Sequence, residues 1–168
     1  MNIQVESMAI EMPEVRNHPN REHFKGILTQ VDVPSDKAPA GARGHRVLLV
    51  RAAAEAALAS LIGMGLDYAP SLDRHDVQRK IGVITRADIV GRNLEVGGYL
   101  FARDFKAVVD EIRNSPRLVL GMSYEIADAQ VADPRADVWV LTRVTFTGAA
   151  LLRRDKAAYR NTWIELED

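Results

Sequence analysis

Two stretches of helical spacing stand among a larger number of apolar and β-branched runs, and their order decides the class of fold. One stripe, Ala54, Ala57, Leu58 and Leu61, lies in the alanine-rich segment Arg51 to Met64, with Gly63 and Gly65 as natural stops. The other, Phe105, Val108, Val109 and Ile112, lies in Asp104 to Arg113. It ends at Asn114-Ser115-Pro116, because proline lacks an amide hydrogen and restricts the residue before it. Strands are predicted at Ile3 to Met12, Phe24 to Val33, Ile81 to Ile84, Asn93 to Phe101, Leu118 to Tyr124, Val138 to Phe146 and Trp163-Ile164, with Ile126 to Val131 as a continuation or partner. Strands and helices do not alternate regularly, and no glycine-rich phosphate loop is present. The pattern predicts an α+β domain rather than a doubly wound sheet.

The connections have their own signatures. Arg16 to His23 is polar, and Ser35 to Gly44, with Pro39, Gly41 and Gly44, favours an open, flexible loop. Asp67 to Lys80 is polar and contains Pro70, which places His75 in a loop. Gly97-Gly98 predicts a turn, a bulge or a close backbone approach, and Thr147-Gly148 a change of direction.

At 168 residues the chain has material for one hydrophobic core, and 1–168 reads as a single domain. Its 22 basic residues balance 23 acidic ones, so the charge recommends neither a nucleic-acid partner nor a membrane surface. Cysteine is absent, which removes disulfides, thiolate nucleophiles and Cys-based zinc sites. Glu6, Glu11 and Glu14 stand where a secretory signal needs a basic start, and no run reaches the roughly 18 to 20 apolar residues of a spanning helix. A soluble, cytoplasmic protein is the expectation.

His75 and Ser123 are the residues most suited to chemistry. They lie 48 positions apart, in Leu72-Asp73-Arg74-His75-Asp76 and Gly121-Met122-Ser123-Tyr124-Glu125, each beside a strand-like run. A histidine within hydrogen-bond reach of a serine can take its proton during attack on a carbonyl and return it to the leaving amine. A third polar group then holds the histidine tautomer. Glu125 fills the position where a Gly-x-Ser-x-Gly elbow needs its last glycine, so an α/β-hydrolase is excluded. His18 and His23 form no recognisable ligand cluster, and His75-Asp76 lacks the spacing of a helical zinc hydrolase. Tyr99, Tyr124 and Tyr159 read as core residues.

From about Ala54 to Thr162 the chain resembles the prohead, or capsid maturation, proteases of tailed bacteriophages, which are related to the herpesvirus assemblins. The landmarks are Leu72 to Asp76 followed by Lys80-Ile81-Gly82-Val83-Ile84, then Leu120 to Glu125, and finally Val144-Thr145-Phe146-Thr147-Gly148-Ala149-Ala150-Leu151. The resemblance implies His75 as catalytic histidine and Ser123 as nucleophile. It further implies an assemblin-like, predominantly antiparallel β-barrel with flanking helices, autoprocessing, and cleavage of scaffold or major capsid protein segments. The setting it implies is an assembling procapsid in the host cytoplasm, with a homodimer or procapsid-associated oligomer and no metal or organic cofactor. A catalytically inactive scaffold or capsid-assembly protein of the same fold is the alternative.

Many relatives carry an acidic third member in the late strand, where this chain has Arg143. An arginine cannot accept the imidazole hydrogen. Glu125 lies two residues after Ser123 and on a regular strand shares its face, which makes it a candidate to orient His75; Asp76, Asp128 and Asp137 would need favourable loop geometry. Arg143, and with it Arg153 and Arg154, are candidates for oxyanion support, or else ordinary strand and turn arginines.

Overall fold

The computed structural model of the chain describes residue 15 and residues 17–167; the strand expected at Ile3 to Met12 lies outside them. Among the described residues eight strands form one sheet: β1 (Glu22–Gln30), β2 (Arg46–Leu49), β3 (Gly65–Tyr68), β4 (Lys80–Val90), β5 (Asn93–Leu100), β6 (Leu120–Val131), β7 (Val138–Arg153) and β8 (Trp163–Leu166). Two short helices flank it, α1 (Arg51–Ala57) and α2 (Lys106–Asn114). The result is α+β, as the order of the elements predicts. Among the described residues no helix is long and apolar enough to cross a membrane.

Two hairpins supply most of the sheet. β4 and β5 pair antiparallel, and β5 continues onto β1 and β1 onto β8. β6 and β7 pair antiparallel along most of their length. The other edge of β7 takes two parallel partners, β2 near its start and β3 near its end, and β3 joins the two hairpins through β4. The sheet is therefore mixed but largely antiparallel. It curls into a half-barrel, so that β6 packs against β1 and β8 and the Met122 amide donates to Thr162 Oγ1 at 3.3 Å. Phe24, Leu66, Ile84, Leu100, Met122 and Phe146 fill the concave side and are fully buried.

The first helix is shorter than its alanine stripe. After Ala57 the chain tightens into a 3-10 turn, Leu58–Leu61, and Gly63 takes a left-handed φ of 84°. The residues beyond are drawn into backbone pairing with β4: Gly63 donates to the Ile84 carbonyl and Ile84 to that of Met64. The helix start has no capping side chain of its own, so Asp32, from the turn after β1, accepts the Arg51 amide at 2.9 Å. The second helix ends at Asn114 before Pro116, as the proline dictates.

Two segments differ from expectation, while Ile126 to Val131 takes the first of its two readings and continues β6. Gly65 to Tyr68 is a strand where the end of a helical segment and a loop were expected. The chain also does not turn at Thr147-Gly148: β7 runs straight through, and the register shifts there because Glu125 faces Gly148 while Ile126 faces Phe146. Thr147 is the extra residue of a β-bulge, which lets Phe146 face the core and Gly148 the opposite side. The Ser35 to Gly44 segment is irregular, and Ser35 is buried, with its hydroxyl donating to the Lys37 carbonyl and accepting the Val47 amide.

Tyr159 ties this loop to the sheet, its buried hydroxyl lying 3.1 Å from the Val47 carbonyl and 3.2 Å from that of Val33. Burial, reinforced by the Asp36 charge, pushes its pKa up to about 12. The unfolded chain then ionises first, at the ordinary value near 10, so stability falls between about pH 10 and pH 12 and levels off above. Tyr159→Phe should lower unfolding free energy at neutral pH by roughly 1 kcal/mol and lessen that alkaline fall, as urea denaturation at neutral and alkaline pH will show.

Candidate functional site

On β6 the side chains alternate: Leu120, Met122 and Tyr124 join the core, which leaves Ser123 and Glu125 on the outer face. The register carries that face across four strands. Ser123 lies opposite Ala150 on β7, Ala150 opposite Asp67 on β3, and Asp67 opposite Lys80 on β4. One step along, Glu125 lies opposite Gly148. Ala150 and Gly148 are the small residues of the row, so the polar groups on either side stand over a low floor.

The loop 69–79 covers this floor and brings His75 to it. Its fixings are the Leu72 carbonyl, which accepts the Arg153 amide at 2.7 Å, and the Asp76 amide, which donates to Asp67 Oδ1 at 2.9 Å. His75 Nδ1 then lies 2.9 Å from Glu125 Oε1 and 3.8 Å from Asp67 Oδ2, and Lys80 Nζ lies 3.5 Å from the same Asp67 oxygen. Exposure grades outward from Asp67, with no solvent contact, to Glu125 at 20%, His75 at 27% and Lys80 at 39%. Asp67 is the buried anchor, and the others face the opening.

The contacts to the imidazole are close without being hydrogen bonds. Although Glu125 Oε1 is close to Nδ1, it stands off the hydrogen-bonding direction of the ring, and at 3.8 Å Asp67 Oδ2 is too far for a hydrogen bond. Nδ1 and Oδ2 are thus enclosed polar atoms without a hydrogen-bond partner among the described residues. Burial alone would push the Asp67 carboxyl up, but the His75 ring, the Asp76 amide and the Lys80 charge together hold it below its ordinary value. It is a carboxylate at neutral pH.

Of the residues singled out from sequence, the structure brings together His75 and Glu125 and sets Ser123 on the same face, two residues from Glu125. Ser123 Oγ makes no hydrogen bond to His75 among the described residues. Arg143 is not part of the cluster: exposed and opposite Gln130, it is seven residues along β7 from Ala150, about 23 Å at strand spacing. Arg153 is bound through its guanidinium to Asp155 at 2.9 and 3.0 Å, and Arg154 to the Arg160 carbonyl. Neither guanidinium is directed to the site, though the Arg153 backbone anchors its loop.

Asp76 contributes its amide and pairs its carboxylate with Arg79, while Asp128 and Asp137 lie exposed at the far end of the hairpin. Asp67 and Lys80 were not foreseen. The alternation Gly65-Leu66-Asp67-Tyr68, with Leu66 buried, is the signal that could have marked a short strand with a polar outer residue.

Tyr124 is held by an edge-to-face contact with Phe146, and burial pushes its pKa up strongly. His18 accepts the Asn20 amide, and neither it nor His23 approaches the cluster. No protein-family model and no curated protein matches the chain.

Gly148 fixes the reach of Glu125. A Cβ there would lie 2.9 Å from Glu125 Oε2, 3.4 Å from the Gly65 carbonyl oxygen and 3.7 Å from Lys80 Nζ. Gly148→Ala must therefore displace the flexible end of Glu125, leaving stability within about 1 kcal/mol of the parent. The expected outcome is a changed His75 ring signal by NMR with a nearly unchanged thermal midpoint.

Proposed function

We propose that the chain is a serine endopeptidase of the prohead-maturation kind, with an assemblin-like fold. The observation that carries this reading is the 2.9 Å approach of Glu125 Oε1 to His75 Nδ1, made from the strand face that also bears Ser123. A carboxylate at Nδ1 favours the tautomer protonated there and leaves Nε2 as the base. Ser123 Oγ attacks the peptide carbonyl carbon while Nε2 takes its proton. The tetrahedral intermediate collapses as the same proton passes to the leaving amine. A water activated by His75 then attacks the acyl carbon and frees Ser123.

Asp67 has a positioning role in this reading. It holds the loop through the Asp76 amide and adds a second negative charge facing the imidazolium that forms during attack. The open Ser123 to His75 contact closes when substrate enters, since catalytic hydrogen bonds in free enzymes are commonly long. Among the described residues β6 has a ladder partner only in β7, and an extended peptide would add as a further strand along its other edge beside Ser123. Scaffold and capsid-protein segments are the substrates that the resemblance suggests. The likeness rests on Leu72 to Asp76 with Lys80 to Ile84, on Leu120 to Glu125 and on Val144 to Leu151, and each of these three landmarks borders the cluster.

The competing reading is a non-catalytic assembly module of the same fold, and the unmade Ser123 to His75 hydrogen bond favours it. Incubation with the cognate scaffold protein separates the two. Ser123→Ala and His75→Ala should each reduce cleavage by about a thousandfold or more, Glu125→Gln by about a hundredfold or more, and Arg143→Ala hardly at all. Equal cleavage by the parent, Ser123→Ala and His75→Ala would sink the assignment. A fluorophosphonate probe that labels the parent but not Ser123→Ala supplies a readout independent of substrate.

A further inference from the structure

We infer that Asp67, His75 and Glu125 form a binding site for a divalent transition-metal ion of the zinc class, and that the bound ion silences His75 as a base. One ligand atom from each residue can be chosen so that all three lie within 4.8 Å of one another. Tetrahedral zinc with bonds near 2.0 to 2.1 Å holds its ligands about 3.3 Å apart. The two separations from Nδ1, 2.9 Å to Glu125 and 3.8 Å to Asp67, fall on either side of that value. Small side-chain movements would equalise them.

The independent sign is the state of the buried atoms. Asp67 has no solvent exposure, its Oδ2 lies 3.8 Å from His75 Nδ1, and neither atom has a hydrogen-bond partner among the described residues. Two enclosed polar atoms 3.8 Å apart, neither with a hydrogen-bond partner among the described residues and with a second carboxylate beside them, are well served by a cation. The remaining Asp67 oxygen is already steadied by the Asp76 amide at 2.9 Å, which fixes the ligand's orientation. One imidazole nitrogen and two carboxylate oxygens suit zinc better than calcium, which takes six to eight oxygens. The fourth zinc position faces the opening and is available to water.

Lys80 opposes the ion. Its ammonium lies 3.5 Å from Asp67 Oδ2, and its stem runs over Gly65. Metal binding therefore requires the half-exposed ammonium to swing toward solvent. Once the ion holds the Nδ1 lone pair, the ring proton resides on Nε2. That nitrogen then has no lone pair with which to accept the Ser123 proton, so the metal-bound enzyme cannot begin acylation. This last step rests on the proposed peptidase function; the binding itself does not.

Titration calorimetry of the full chain with ZnCl2, in buffer free of chelators, tests the site. The expected result is one ion per chain with a dissociation constant in the micromolar range or below, weakened at least tenfold by Glu125→Gln and by His75→Ala. Lys80→Met keeps the stem, removes the competing charge and should tighten binding about tenfold. Absence of binding below millimolar zinc, indifference to Glu125→Gln and His75→Ala, or weaker binding by Lys80→Met would each overturn the site. With scaffold as substrate, cleavage should fall as zinc saturates the chain and return with EDTA; cleavage that persists with the ion bound overturns the silencing. Zinc bound at these residues in a chain without peptidase activity would instead overturn the peptidase reading and leave the site standing.

Discussion

A carboxylate cut off from water must be met by donors and cations, and the outer face of this sheet is arranged around that demand. Asp67 sits on a four-residue strand held between β4 and the end of β7, and it has no exposure at all. Left alone it would be protonated or would open the structure to solvent. It instead takes the Asp76 amide on one oxygen and draws the His75 ring and the Lys80 ammonium near the other, each from the loop that follows it or the strand that the loop enters. The loop conformation, and the placing of the imidazole over the sheet, follow from satisfying one buried charge. Glu125 completes the set from the opposite side of the row.

The floor beneath these groups depends on the bulge at Thr147. In an uninterrupted strand, Phe146 and Gly148 would share a face, and either the core would lose a phenylalanine or the site would gain one. The extra residue resolves the conflict: Phe146 packs against Tyr124 inside, and Gly148 leaves room for Glu125 outside. The irregularity that ends local regularity on β7 is the same one that lets a polar cluster sit directly behind a hydrophobic core.

The larger elements were legible because their signals are local. Phe105, Val108, Val109 and Ile112 repeat at helical spacing, and Pro116 stops them; the runs around Phe24, Leu94 and Met122 carry enough apolar and β-branched residues to read as strands. Glu125 was readable from its two-residue offset to Ser123. Asp67 was hidden, since Asp67 to Lys80 is polar around Pro70 and the strand that holds Asp67 is fixed by parallel pairing with a segment more than eighty residues away. No local periodicity records such a pairing. Thr147-Gly148 misled for the opposite reason: a small residue after a polar one resembles a turn, and only the register of β6 against β7 shows that it is a bulge.

An unpaired strand edge is also a hazard, because a second copy of the protein can dock on it as readily as any other chain. The distal half of β6 is poorly suited to such pairing: its register against β7 shifts twice between Ala127 and Val131, and Asp128 adopts a left-handed φ of 52° that breaks the row of amides and carbonyls. Near Leu120 the row is partly occupied by Thr162 through the Met122 amide. The stretch without a ladder partner among the described residues that lies between these two obstructions is short and centred on Tyr124. Runaway copy-to-copy stacking is thereby discouraged along most of the strand, while a few residues of clean template persist at the one place where a visiting backbone would meet polar chemistry.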